Sequence, residues 1–280
     1  MTAAPEALPA TKPMAAPAPA PNLARRAGFV RDVISIAGRS LRQARREPET
    51  LLPSIFVPVF FFAIFVGSLE GILGQAGIGE FRAFQLPVSI VLAVTGLTRA
   101  PAVVTDIMNG YFDRLLLSPV NRFALLLGMM VADLAIVVAM SVPVLVMGAI
   151  VGVEFSTGVL GMLAFIGVAM AWSLAYVGIL YAVALRTANP TVTAQTFLLY
   201  FPFVFLSTTI VPREQMTGWM DAVAGVNPLT YVYGALRSLI TEGWAVTPLL
   251  QGFAAIAAVG LVAHSLAYLA LRGRVSRSRP

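Results

Sequence analysis

Residues 157–185 read TGVLGMLAFIGVAMAWSLAYVGILYAVAL and contain no Asp, Glu, Lys, Arg or His. Residues 187–212 and 243–263 are equally free of these side chains. An α-helix needs about 20 apolar residues to cross the hydrocarbon core of a bilayer, which is ~30 Å thick. Because 58% of the whole chain is hydrophobic and only 11% is charged, the sequence predicts an all-α, polytopic membrane protein.

Apolar segments long enough to cross the bilayer predict a bundle of six transmembrane helices. Their expected bounds are Leu51–Leu69, Phe84–Val104, Ser118–Val151, Thr157–Leu185, Asn189–Val211 and Thr247–Leu271. Arg99, close to the end of the second span, is expected to extend to the membrane interface. A further segment, Val223–Leu239, is too short to span and predicts a re-entrant external helix between the fifth and sixth spans.

The region before the first span has a different pattern. In Phe29–Arg46, apolar residues recur at steps of three and four, and arginines occupy the other positions. This pattern predicts an amphipathic helix in the lipid headgroup layer, although a soluble amphipathic helix has the same periodicity. Residues 1–28 are rich in Ala and Pro and predict a disordered tail. The membrane domain is then 29–271, and 272–280 is a basic tail.

The distribution of basic residues predicts the orientation of the six spans. An even number of crossings leaves both termini on one side, and that side would carry nearly all the basic residues. The other side would carry only Arg82, Arg213 and Arg237. By the positive-inside rule, both termini are expected in the cytoplasm. The net charge of +6 does not indicate a nucleic-acid partner, because the arginines flank apolar spans.

Several kinds of active site are excluded by composition. The chain has no Cys, a single His (His264) and a single Lys (Lys12). Thiolate metal sites, paired-histidine zinc sites and the phosphate-binding loop G-x-x-x-x-G-K-[ST] are therefore absent. We expect no catalytic residue, metal site or bound cofactor in this chain. Any energised work must draw on a partner protein or on an ion gradient.

The connector between the second and third spans carries the first recognisable motif. Residues 106–122 read DIMNGYFDRLLLSPVNR and predict a short cytoplasmic helix before a capped span. The segment resembles the first cytoplasmic loop of ABC-2 type transporter permeases, of the daunorubicin-resistance and nodulation-factor-export kind. The resemblance implies a coupling helix that docks on a separate ATPase subunit. The residues assigned to it are Asp106, Gly110, Asp113, Arg114, Leu116, Ser118, Pro119 and Arg122. Both acidic positions are Asp, where this family usually has Glu.

A second match lies between the fifth and sixth spans. Residues 207–239 resemble the external segment of the same family, in which re-entrant helices close the outer end of the pathway. The residues assigned to this external gate are Pro212, Asn227, Pro228, Tyr231 and Arg237. Together with the amphipathic helix, the resemblance covers roughly residues 29–271.

Four polar or aromatic residues within the spans are candidates for other roles. Asp133 is an intramembrane acid, a residue type that is expensive in lipid and often functional; we weigh a pathway or inter-helix role against bonding to interfacial groups. Trp172 and Tyr176 are candidates for lining a pathway, although ordinary helix packing accounts for them as well. His264 has no acidic companions in its span, so a hydrogen bond to a neighbouring helix is expected rather than a proton relay.

The resemblance implies one half of an ATP-driven exporter in a bacterial plasma membrane. Two permease copies, identical or different, would pair with ATPase subunits that bind ATP and Mg²⁺. The expected cargo is a hydrophobic drug, an antibiotic or a lipid. Two alternatives remain at this stage, a glycan-exporting permease of the same fold and a gradient-driven carrier or membrane enzyme without an ATPase. The absence of a detectable inverted repeat and of paired intramembrane acids disfavours the second.

Overall fold

The computed structural model describes residues 28–46, 48–75, 80–95, 98–110 and 122–277. Every regular element in these ranges is a helix, which confirms the predicted all-α class. The α-helices are α1 (Phe29–Ala44), α2 (Pro48–Gln75), α3 (Phe81–Thr95), α4 (Ala100–Met108), α5 (Arg122–Ile150), α6 (Gly158–Thr187), α7 (Pro190–Gln195), α8 (Tyr200–Phe205), α9 (Trp219–Val226), α10 (Pro228–Thr241) and α11 (Val246–Arg277). Short 3₁₀ helices occupy Thr196–Leu199 and Arg213–Gln215.

Five helical segments of the described chain are long and apolar enough to cross a membrane. They are Leu52–Leu73, Phe81–Met108, Leu127–Ile150, Gly158–Thr187 and Val246–Gly273. These match five of the six predicted spans. The last helix continues to Arg277, six residues beyond the predicted end of the sixth span. The structure therefore supports a multi-pass bundle but not, by helix length, a count of six.

The predicted fifth span, Asn189–Val211, is not one long helix. It consists of α7, the 3₁₀ helix Thr196–Leu199 and α8 in direct succession. Pro202 explains the interruption, because a proline cannot bond to the carbonyl four residues earlier and its ring clashes with that carbonyl. The carbonyl in question belongs to Leu198, inside the 3₁₀ stretch.

Two other predicted helices are also seen in two parts each. The second predicted span is seen as α3 and α4, with Pro101 in the first turn of α4 and residues 96–97 between them outside the described ranges. The predicted re-entrant helix is seen as α9 and α10, separated at Asn227. Asn227 is extended (φ −79°, ψ 121°), as expected for a residue that precedes proline.

Contacts between the long helices define their relative directions. A Cβ added to Gly178 of α6 would lie 2.9 Å from the backbone of Ala263 in α11, and one added to Gly260 would lie 3.4 Å from Ala175. Both pairs have the same offset along the chain, so α6 and α11 run parallel. Small residues at such contacts allow helix backbones to approach closely.

The other long helices fit the same arrangement. Trp172 and Ser173 of α6 bond to Thr95 and Val94 of α3. Nine residues after Trp172, Tyr181 of α6 bonds to Asp133 of α5, and so does Arg99, which lies just before α4. The second and fourth spans therefore run in the same direction. α5 lies antiparallel to both, since its start is near the end of α6 and its end is near the start of α3.

Residues 190–205 run back along α6. Tyr200 of α8 packs edge-on against Tyr176, halfway along α6, with ring centroids 6.1 Å apart. The carbonyls of Phe203 and Leu206 bond to Asn227, just before α10. The C-terminal end of α10 returns to the first turn of α6, where Thr157 donates to the Leu239 carbonyl at 2.6 Å. The chain thus travels from the last turn of α6 towards its first turn.

The close contact between α6 and α11 gives a testable expectation. Gly178→Leu should separate the two helices and lower the free energy of unfolding by about 1–3 kcal/mol, the usual cost of overpacking. The measurement is unfolding in mixed micelles with an increasing fraction of SDS. Gly167→Leu on the same helix is the matched control, because a Cβ at Gly167 meets nothing within 4 Å. Equal losses in the two variants would contradict the contact.

Candidate functional site

Asp106, the first residue of the predicted coupling motif, forms an ion pair within the chain. It lies in the last turn of α4, and Arg39 of α1 donates to its two oxygens from both terminal nitrogens at 2.8–3.0 Å. The side chain of Asp106 is 12% exposed and that of Arg39 is 33% exposed. Bidentate pairs of this kind are strong and directional. The pair therefore fixes the end of α4 against α1.

The helix α1 is in turn held against α5. A Cβ added to Gly128 of α5 would lie 2.7 Å from the Cβ of Ile36 and 2.9 Å from the carbonyl oxygen of Val33. Only glycine permits this approach. On the other side of α1, Val30 and Ile34 are 67% and 65% exposed. The element predicted as an amphipathic helix thus packs on the bundle with one side and leaves apolar side chains uncovered on another.

The rest of the coupling motif is described only in part. Gly110 has φ 67°, the left-handed conformation that terminates a helix and that glycine adopts readily, and it follows the end of α4. Asp113, Arg114, Leu116, Ser118 and Pro119 lie outside the described residues. Arg122 begins α5. The predicted coupling helix therefore stays a prediction, whereas Asp106 belongs to α4 and not to the connector after it.

Asp133 lies at the centre of a buried polar cluster. It is 3% exposed, and its two oxygens accept hydrogen bonds from the backbone N–H of Arg99 and from the hydroxyl of Tyr181, both at 2.7 Å. Arg99 precedes α4 and has no side-chain cap of its own. The first N–H groups of a helix lack partners and favour negative charge. Asp133 of α5 therefore caps α4 from a different helix.

Arg99 itself departs from its expected place. It was expected to reach the membrane interface, but it is 8% exposed and lies beside Asp133. Its backbone N–H bonds to Asp133 of α5, which holds the residue inside the bundle. The hydrogen bond from the Arg99 N–H to Asp133 joins the start of α4 to α5. It is an example of the inter-helix role that was considered for Asp133.

The two aromatic pathway candidates form part of a buried chain of rings. Trp172 and Tyr176 are 2% and 3% exposed, with ring centroids 6.0 Å apart. The Trp172 indole donates to the Thr95 hydroxyl at 2.9 Å. Beyond Tyr176, the Tyr200 hydroxyl lies 3.3 Å from that of Tyr233. The rings and their hydrogen bonds connect α3, α6, α8 and α10. On α6, Tyr181 contacts Asp133, whereas Trp172 and Tyr176 lie one turn or more before it.

Three of the residues assigned to an external gate lie at or near the first turn of α10. The Asn227 side chain accepts the Leu229 N–H at 3.0 Å and donates to the Phe203 and Leu206 carbonyls at 2.7 and 2.8 Å. It therefore caps one helix at its start and another at its end. Pro228 follows as the first helical residue, and the Tyr231 hydroxyl donates to the Gly225 carbonyl.

Arg237, near the end of α10, connects three parts of the chain. Its guanidinium donates to the Phe84 carbonyl at 3.1 Å and to the Thr208 hydroxyl at 3.0 Å, and its central carbon lies 3.3 Å from the centroid of the Phe84 ring. Burial lowers the pKa of Arg237 to about 9, so the group still carries its charge at neutral pH. A buried charge needs such partners to offset its desolvation.

A cavity of about 480 Å³ adjoins these residues. Pro212, Tyr231 and Arg237 line it, together with the carboxylate residues Glu80, Glu214 and Glu242. Asn227 and Pro228 do not line it. The structure thus brings the five candidates into one region but gives only three of them a surface on the cavity.

His264 differs from its expectation. Its Nδ1 lies 2.9 Å from the carbonyl oxygen of Gly260, one turn earlier in the same helix. The expected hydrogen bond to a neighbouring helix is therefore replaced by one within α11.

Among the described residues, no group of three or more His, Cys, Asp or Glu could hold a metal ion.

Sequence reasoning missed the partners of the two acids. A buried carboxylate between two spans requires a donor from a neighbouring helix, and this requirement was the signal that could have pointed to Tyr181. The pairing of Arg39 with Asp106 had no such signal, because α1 carries three arginines, Arg31, Arg39 and Arg42, and the sequence does not fix which of them faces α4.

The bundle of apolar helices defines a multi-pass membrane protein, and comparison with known proteins identifies its family. The ABC-2 type transporter family model matches residues 31–241, which include α1, the coupling motif and the external segment. The chain belongs to the ABC-2 type transporter family.

Three relatives illustrate the likeness. The daunorubicin resistance ABC transporter permease protein DrrB1 of Streptomyces coeruleorubidus is 28% identical over 224 residues, 77% of either chain. The probable doxorubicin resistance permease DrrC of Mycobacterium tuberculosis is 25% identical over 229 residues, 79% of this chain and 81% of the relative. The putative transport permease ycf38 of Cyanophora paradoxa is 23% identical over 223 residues, 76% of each.

The polar cluster around Asp133 can be tested with a pair of tyrosines. Tyr181→Phe should lower the free energy of unfolding by about 1–3 kcal/mol, because it leaves a buried carboxylate oxygen without its donor. Tyr176→Phe should be neutral or slightly stabilising, because the buried Tyr176 hydroxyl has no hydrogen-bond partner among the described residues. Both tyrosines lie on α6, and unfolding in SDS mixed micelles compares them directly. A similar loss in both variants would contradict the assigned hydrogen bonds.

Proposed function

We propose that this chain is the permease subunit of an ATP-driven exporter, energised by a separate nucleotide-binding subunit. The observation that carries the proposal is the family match over residues 31–241, which spans both motifs that the sequence singled out. Curated relatives of similar length are named as resistance permeases of ABC transporters. ATP and Mg²⁺ would bind to the partner subunit, and this chain would supply the pathway and the mechanical link.

The link would run through α4. In the proposed mechanism, residues 111–121 and Gly110 contact the ATPase at the cytoplasmic end of the bundle, and a displacement there passes into α4 as a rigid unit. Asp133 holds the N-terminal end of α4 to α5, and Arg39 holds its C-terminal end to α1. A push on α4 is therefore delivered to both neighbouring helices. In this scheme Asp106 positions α4, and docking falls to Asp113, Arg114 and Leu116, with Ser118, Pro119 and Arg122 starting the next span.

We further propose six crossings with both termini in the cytoplasm. The parallel directions of α6 and α11 support this count, because a chain that leaves one and enters the other in the same direction must cross back in between. Residues 190–205 are the segment available. Twelve α-helical and four 3₁₀ residues extend roughly 26 Å at about 1.5 and 2.0 Å per residue, close to the ~30 Å of the hydrocarbon core.

This topology assigns the remaining segments. α1 would lie in the cytoplasmic headgroup layer with its exposed apolar residues towards the acyl chains, preceded by the tail 1–28, and the basic segment 272–280 would follow on the same side. α9 and α10 would form the re-entrant external segment, in which Pro212, Asn227, Pro228, Tyr231 and Arg237 close the outer end of the pathway. Asp133, Trp172 and Tyr176 would line or shape the route only if the bundle opens, because all three are buried.

The proposed cargo is a hydrophobic drug, antibiotic or lipid, moved outward across a bacterial plasma membrane by a pair of permease copies. The names of the curated relatives favour drugs over the alternative of glycans. The alternative function is a gradient-driven carrier that needs no ATPase. The ATPase-binding experiment below distinguishes it from the exporter.

Substitutions in the coupling motif should abolish binding of the ATPase subunit. Asp113→Arg and Gly110→Trp are expected to abolish co-purification of the ATPase subunit, the first by reversing charge at the docking surface and the second by altering the end of α4. Both variants should keep the thermal stability of the isolated permease within a few degrees. The matched control is Glu242→Arg, which makes the same kind of charge change at the opposite end of the bundle. Undiminished ATPase binding by both motif variants would refute the coupling role.

Cysteine labelling tests the topology, because the chain has no native cysteine. Single cysteines in place of Glu80 and Thr217 should react with an impermeant thiol reagent added to intact cells. Cysteines in place of Asn109 and Thr187 should react only after the membrane is permeabilised. Thr187 and Thr217 bracket residues 190–205, so labelling of both from the same side would refute a crossing by that segment. The Glu80 and Asn109 pair tests the orientation independently.

A further inference from the structure

A groove of about 540 Å³ lies along the junction of α6 and α11. The two helices approach closely at Gly178 and Ala263, and the groove lies between Ile179 and the C-terminal ends of both. Its volume is within the range of ~300–1,000 Å³ that is usual for small-molecule sites. Its position on the outside of the bundle makes it accessible from the surrounding bilayer.

The walls of the groove are aliphatic over most of its length. Ile179 and Val183 line it from α6, and Leu266 and Leu269 line it from α11. Leu266 is 49% exposed and Leu269 is 61% exposed. These residues belong to the apolar spans Gly158–Thr187 and Val246–Gly273. From Ile179 to Arg186 the groove follows α6 for roughly 10 Å at about 1.5 Å per residue, enough for part of an acyl chain.

The mouth of the groove is cationic. Arg186 lines it in the last turn of α6, is exposed, and makes no hydrogen bond or ion pair with another described residue. Arg272 of α11 lies at a similar level but does not line the groove, and its guanidinium lies 5.6 Å from the centroid of the Tyr268 ring. Neither α6 nor α11 contains an Asp or Glu. No carboxylate on either helix competes for the charge of Arg186.

We propose that this groove is a binding site for one anionic phospholipid of the surrounding bilayer. An acyl chain occupies the aliphatic groove, and the phosphate accepts hydrogen bonds from Arg186. The argument is charge complementarity at the end of an apolar channel, the arrangement by which basic pockets between transmembrane helices hold lipid headgroups. Arginine suits this role because its planar fork matches phosphate oxygens.

A second copy of the chain is a less suitable occupant of the same surface. Most homodimer contacts are isologous, so that the same patch faces itself across a two-fold axis. Such a contact would bring Arg186 at the mouth of the groove close to Arg186 of the other copy. Like charges across an interface disfavour association, whereas an anionic headgroup neutralises them.

The test measures lipid retention on the purified, full-length permease by native mass spectrometry. The probes are phosphatidylglycerol and phosphatidylcholine with identical acyl chains. We expect wild-type protein to retain phosphatidylglycerol in preference, and Arg186→Gln to weaken that retention about fivefold. Arg186→Lys should keep most of it. Arg45→Gln removes a charge from α1, at the same end of the molecule, and should have little effect.

A second variant tests the apolar part of the site without changing charge. Gly273 lines the groove, and a Cβ there meets nothing within 4 Å, so Gly273→Phe should fill the mouth without straining the fold. It should reduce the retention of phosphatidylglycerol by at least the same factor as Arg186→Gln.

Three results would overturn the proposal. Equal retention of the two lipids by wild-type protein would remove the charge argument, and equal effects of Arg186→Gln and Arg45→Gln would show that the attraction is not local. Disulfide cross-linking of a Leu269→Cys variant into dimers, undiminished by added phosphatidylglycerol, would show that a second copy covers the groove. ATPase binding and drug transport do not enter these readouts, so the lipid site stands or falls separately from the proposed exporter function.

Discussion

In the hydrocarbon region of a membrane, a backbone N–H or C=O that lacks a partner costs several kcal/mol, and this constraint governs the arrangement of the whole chain. The described chain contains several short helices, and each helix end leaves backbone groups without a partner in its own helix. At the start of α4, the freed N–H of Arg99 bonds to Asp133. At the start of α10, Asn227 bonds to carbonyls at the end of α8. The conspicuous buried polar residues are thus explained first by the backbone that they complete.

The same requirement explains why the polar side chains at the proposed outer end are so closely interlinked. Arg237 takes the carbonyl of Phe84, Arg82 bonds to the Val151 carbonyl at 2.5 Å, and Thr157 takes that of Leu239. Each of these bonds joins an interrupted or terminal piece of helix to a different helix. Elements that are individually too short to be stable in a membrane are held as parts of one body. If these elements form a gate, opening it requires that these hydrogen bonds break and others form. Open and closed states should therefore differ in these hydrogen bonds.

Much of this organisation was predictable from sequence, for identifiable reasons. Long uncharged runs fix the helical class and most of the spans, and a coupling motif with an external segment indicates the family that the comparison then established. What sequence could not supply were the directions in which interrupted helices turn. Residues 189–211 read as one apolar span, and the sequence does not show that Thr196–Leu199, just before Pro202, forms a 3₁₀ stretch. Arg99 looked like an interfacial charge because its hydrogen bond to Asp133 of α5 was not foreseen.

The role of Asp106 shows how a motif and a structure can assign one residue differently. By resemblance, the acid belongs to a docking surface for an ATPase. In the structure both of its oxygens are bound by Arg39, and only 12% of its side chain is exposed. A carboxylate that is already neutralised and largely covered has little charge to offer a partner protein. An acid is nevertheless well suited to this position, because it ties the element that would receive the push to the helix α1. Under the proposed mechanism, docking and transmission would be separate tasks within one motif, with Asp113 serving the first and Asp106 the second.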